Sequence, residues 1–151
     1  MVTAYEVAEW FLGRESMTHK KLQKLCYYAQ AWYCALDSGG ESLFGDAVEA
    51  WAHGPVIPSL YRLYTDYKWN PIPQTEVDKS KFDKRTTEIL EAVYDTYGDF
   101  SGDQLEALAC SEKPWRDARG DLNPWEISHS PIPGTSMREY YLAKYKESQS
   151  D

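Results

Sequence analysis

From Thr18 to Leu36 the chain runs without a glycine or a proline, and Leu22, Leu25, Cys26, Ala29, Trp32, Tyr33 and Leu36 recur three and four residues apart. That spacing fits one face of an α-helix and not a strand, whose side chains alternate between two faces. Thr18 supplies an N-cap oxygen, so a helix is expected from Thr18 to about Leu36. An apolar stripe of this length must be covered by other elements, which commits the chain to a packed, mainly helical core.

The flanking segments supply such elements. Thr3 and Glu6 form a capping box ahead of Ala4, Val7, Ala8, Phe11 and Leu12, and Gly13 ends that helix. After the break "DSGGES", Val48, Ala50 and Ala52 alternate against Glu49 and Trp51, which predicts one or two short strands within 43–53. Ile57 precedes a proline and avoids the α region, so the next helix opens with Pro58 at its first position and continues through "SLYRLYTDY". In "EAWAHGPVIPSLY" Gly54 frees the turn, Pro55 and Pro58 stiffen it, and Trp51 is expected to fill the space between turn and long helix. Trp32, Trp51, Gly54, Pro55 and Pro58 thus form the structural set.

Beyond the polar connection "KWNPIPQTEVDKS", Ile89, Leu90, Val93, Tyr94 and Tyr97 mark an amphipathic helix closed by Gly98. Ser101 with Gln104 opens a shorter one carrying Leu105 and Leu108 to Cys110. The prolines and glycines between Ser111 and Gly134 leave room for one turn around Trp115 and otherwise irregular chain. A last helix, capped by Thr135 or Ser136, carries Met137, Tyr140, Tyr141 and Tyr145. The expected fold class is mostly α: one compact domain of about five to seven helices, with at most a small strand pair.

The 151-residue length suits one domain. The net charge of -8 repels phosphate backbones, so no nucleic-acid partner is expected, and a basic protein surface is suited to it. The first residues hold Glu6 and Glu9 within their apolar stretch and lack a basic leader, and no later stretch is apolar enough for a spanning helix. No membrane association is expected, and the location is cytoplasmic. Three cysteines read as reduced, packed thiols.

No constellation for catalysis or metal binding emerges. His19, His53 and His129 are far apart, Cys26 and Cys34 lie about 12 Å apart along one helix, and phosphate loops and nucleophile elbows are absent. No catalytic residue, metal ligand or cofactor is therefore assigned. An enzyme reading survives as an unrecognised site around His53. "THKKLQK" sets basic residues in the first turns of a helix, against the macrodipole, and so creates an anion-attracting end on an acidic chain. Lys20, Lys21, Lys24, His53 and Arg62 form the expected partner-binding set.

"KLQKLCYYAQAWYCAL" at 21–36 and "LFGDAVEAWAHGPVIPSLY" at 43–61 resemble two hallmark stretches of the Panacea domain, that of the SocA-like antitoxins and phage-associated GepA-type proteins. Residues 88–115 resemble the third block of that family, and the domain is taken as 1–147, with a frayed tail at 148–151. The resemblance implies a helical domain without catalytic activity that neutralises a cognate protein toxin by direct binding, the toxin being encoded by the adjacent gene. A phage-associated adaptor that binds a host protein is the alternative.

Overall fold

The computed structural model describes residues 1–150. Its helices are α1 (Ala4–Leu12), α2 (His19–Leu36), α3 (Pro58–Tyr64), α4 (Lys84–Tyr97), α5 (Gly102–Ser111), α6 (Lys113–Arg119) and α7 (Gly134–Gln149). The strands β1 (Glu49–Trp51) and β2 (Gly54–Val56) form an antiparallel hairpin in which Ala50 faces Pro55 and Trp51 faces Gly54. The fold is mostly α, as expected, although β2 lies just beyond the window that the alternation marked.

Helix α2 is the axis of the molecule and touches α1, α3, α4, α5, α7 and β2. Cys26, Tyr27, Tyr28 and Ala29 are all fully buried, so the middle of α2 has no solvent face. The predicted stripe understated this burial, while Trp32, Tyr33 and Leu36 at its far end are only half-buried. Polar residues inside α2 hold neighbouring loops. Gln23 donates to the Ile57 carbonyl and accepts from its amide, and Gln30 does the same for Phe44, so both buried amides are satisfied.

The centre of the core is a tyrosine network around Glu112. Tyr28 and Tyr141 hydroxyls donate to its carboxylate at 2.7 and 2.8 Å. Tyr141 has thereby used its proton, so Tyr27 donates to Tyr141 at 3.0 Å. Burial raises the Glu112 carboxyl above its usual range, and the two tyrosines pull it back.

The expected caps at Thr3, Thr18 and Ser101 are in place. Three late features differ from expectation. Helix α6 has seven residues instead of one turn, because Pro114 stands at a helix start, where its missing N–H is harmless. Helix α7 follows Pro133 without the expected side-chain cap from Thr135 or Ser136. It also continues through Gln149 where a frayed tail was expected from 148, and Asp151 lies outside the described residues. Among the described residues no helix is long and apolar enough to cross a membrane.

Candidate functional site

The turn "AHGP" is shaped around one lysine. Lys24, in the second turn of α2, is 2% exposed, and its Nζ donates to the Pro55 carbonyl at 3.2 Å. Gly54 has φ +108, and a Cβ there would lie 3.0 Å from Lys24 Cε, so a side chain would be strained by the backbone and would press on Lys24. Burial draws the Lys24 amine down to about 8, against the pull of Glu106 in the other direction. Among the described residues Lys24 forms no ion pair, although it remains protonated at neutral pH.

Lys24 forms part of the wall of a cleft of about 370 Å³ between the start of α2, the hairpin and α3 with the turn that follows it. The hairpin is held from behind by α6: Trp115 donates to the Trp51 carbonyl at 2.8 Å, and Arg119 to the Ala50 carbonyl at 3.1 Å. On the opposite wall Ile72 is buried and its amide donates to the Met17 carbonyl at 2.7 Å, which draws the segment carrying Lys68 and Trp69 across the start of α2. Lys68 is the one described non-glycine residue with a positive φ, 55°. Trp51 and Tyr61 meet edge to face at 5.0 Å, and Trp69 stands 80% exposed at the rim. Tyr61 lines the same cleft and is partly exposed.

This hairpin, Lys24 and the helices around them fall within residues 22–116, which match the family described as Antitoxin SocA-like, Panacea domain. The chain belongs to this family. The match spans more than half of the chain and includes most of the cleft, with His19 and Lys20 just outside it. No curated protein and no solved structure matches the chain.

Within the Panacea domain the five charged residues expected to face a partner have separate fates. Lys20 lies 2.6 Å from Asp103 and 2.9 Å from Glu106, so its charge is already met by α5. Lys21 turns away from the cleft and donates to the Gly98 carbonyl at 2.5 Å and to Glu15 at 3.3 Å. The anion-attracting helix end is thus largely satisfied internally, because α5 and the α4–α5 turn bring carboxylates and a carbonyl to it. His53 is 83% exposed at the hairpin turn, 3.7 Å from Glu106, and Arg62 is exposed on α3.

Trp51 requires a correction. It is half-buried on the cleft wall and outside the core, because β1 alternates and points Ala50 inward, leaving Glu49 and Trp51 on the other face. Its indole donates to Glu49 at 2.8 Å, and its ring also meets His129 edge to face at 5.4 Å. Trp32 is half-buried at the opposite end of α2, where it donates to the Tyr97 hydroxyl at 2.9 Å. Pro55 lies in β2, and Pro58 opens α3.

The sequence reading missed Lys68 and Trp69. "KWNPIPQ" looks like a polar connection, and the available signal was a large aromatic residue set in a polar, proline-containing stretch. His19 gained its place through the fold: its Nδ1 is buried without a hydrogen-bond partner, and burial lowers its affinity for a proton. Among the described residues no three His, Cys, Asp or Glu side chains cluster as a metal site would. Cys26, Cys34 and Cys110 are free thiols, with Cys26 and Cys34 buried.

Proposed function

We propose that this chain is the antitoxin of a toxin–antitoxin pair and neutralises a cognate protein toxin by binding it directly, in the cytoplasm and without catalysis. The docking face is the cleft with its aromatic rim. One observation carries the reading: Trp51, Tyr61 and Trp69 gather on one cleft, and Trp69 stands 80% exposed there. Aromatic anchors around a partly desolvated pocket are the usual centre of a protein–protein interface.

His53 has a role as a rim contact in this scheme. Its only close carboxylate, Glu106, is 3.7 Å away and shared with Lys20, and no nucleophile is oriented by it. The test is co-expression with the product of the adjacent gene. The expected outcome is relief of growth arrest and co-purification of the two chains. Relief without any physical complex would overturn direct neutralisation, and a stable complex with a host protein in place of the toxin would favour the adaptor reading.

A further inference from the structure

The cleft has a charge pattern opposite to that of the molecule. The chain carries 24 Asp and Glu against 16 Lys and Arg, yet the cleft is lined by Lys20, Lys24, Lys68, His19 and His53 and by no acidic residue. The carboxylates that touch lining residues are already engaged: Glu106 pairs with Lys20 at 2.9 Å, and Glu49 accepts from the Trp51 indole at 2.8 Å. Lys24 differs from Lys20 in having no carboxylate of its own. Of the three N–H donors on its ammonium, one goes to the Pro55 carbonyl.

A buried cation with donors to spare, at the wall of an open cleft, is costly in the free protein and improves when an anion arrives. The neighbouring His19 lines the same cleft, and its Nδ1 is buried without a partner. The remaining walls, Trp51 and Tyr61, are aromatic and take an apolar group. At about 370 Å³ the cleft has room for one or two side chains.

We propose that the cleft is the anchor point for the bound protein and takes one of its carboxylate side chains onto Lys24, with an adjacent aromatic or large apolar side chain against Trp51 and Tyr61. This rests on the antitoxin reading and specifies the chemistry of its partner. Lys68 at the rim steers the approaching acid, and Trp69 packs on the apolar side chain. The specificity is that of a desolvated charge: an amide of the same shape can accept a hydrogen bond but leaves the Lys24 charge uncompensated.

The test uses two blocked tetrapeptides, Ala-Phe-Asp-Ala and Ala-Phe-Asn-Ala, titrated into the full chain with the Trp51 and Trp69 indole resonances as the readout. The acidic peptide is expected to shift both indoles and to bind at least about ten-fold more tightly than the amide. In Lys24→Met that preference is expected to vanish while the residual apolar binding stays. Equal binding of the two peptides, no binding of either up to about 10 mM, or a preference that survives Lys24→Met would overturn the anchor.

The wild-type comparison of the two peptides needs no variant, so it stands even if Lys24→Met folds poorly. Full toxin neutralisation by a folded Lys24→Met protein would remove the anchor and leave the antitoxin reading intact. Peptide discrimination by a wild-type chain that binds no toxin would do the reverse.

Discussion

Lys24 carries its charge almost out of reach of water, at 2% exposure on the cleft wall, and that has a measurable thermodynamic consequence. Its folded pKa of about 8 against an ordinary 10.5 means that the folded chain gives up the proton first as pH rises. Below pH 8 both states are protonated and the folded state bears the full desolvation cost, about 3 kcal/mol for a shift of this size. Between about 8 and 10.5 the unfolded state binds more protons, so this residue's contribution to stability rises with pH. Buried tyrosines and cysteines, held protonated by the fold above the pH at which they ionise when unfolded, lower stability from about pH 9 upward, so the test is a difference between proteins. Lys24→Met is expected to be more stable than the parent by about 1–3 kcal/mol at pH 7, with the gap shrinking by pH 10, as read by chemical denaturation at each pH. Trp51 gives the second residue-scale expectation. Half-buried on the cleft wall, it should lose only about 1–2 kcal/mol on replacement by Ala, well short of the loss for a core aromatic, while partner binding weakens. Melting and binding measured on one preparation check both. The alternation of Ala50 against Glu49 and Trp51 already held the answer for Trp51, since it placed the tryptophan opposite the buried face. Lys24 was not legible in that way, because its burial is imposed by Gly54 and Pro55 from a separate segment.

At the scale of elements, the C-terminal end of α2 is closed by arginines from other helices. Arg138 of α7 donates to the carbonyls of Cys34 at 2.7 Å and Asp37 at 2.6 Å, and Arg85 of α4 donates to that of Leu36. These are carbonyls that a helix end leaves without internal partners, and a cation there also opposes the macrodipole. Arg138→Ala is therefore expected to cost about 2–3 kcal/mol and to loosen α7 before the rest, visible as faster amide exchange across α7. Elements with their own caps and periodicity were legible: α1, α2 and α5 stand where Thr3, Thr18 and Ser101 put them. Elements defined by their surroundings were not. Pro114 reads as a breaker but starts α6, and the carboxylate of Glu112 at that junction turns inward to Tyr28 and Tyr141. Tyr27, beside the predicted stripe, is buried because α7 brings Tyr141 against it from more than a hundred residues away.

Across the whole molecule, the fold gathers basic and aromatic residues of α2, the hairpin, α3 and the following turn into one cleft on an acidic protein. No single stretch displays that contrast; the sequence reading found the basic helix start and the "HGP" turn separately, and only the packing of β2 against α2 joins them. Trp69 reaches the same cleft because Ile72 is pinned to Met17. The central claim is that this face binds the toxin, and the most direct measurement is the affinity of purified toxin for the wild-type chain and for the double variant Tyr61→Ala, Trp69→Ala. Trp69 is 80% exposed and Tyr61 36%, so the variant is expected to fold and to melt close to the parent, at a cost of about 1 kcal/mol for the lost packing of Tyr61 on Trp51. Its affinity is expected to fall by about 30-fold or more, a loss of two hot-spot contacts. A variant that melts normally and binds toxin with the parent's affinity would contradict the account.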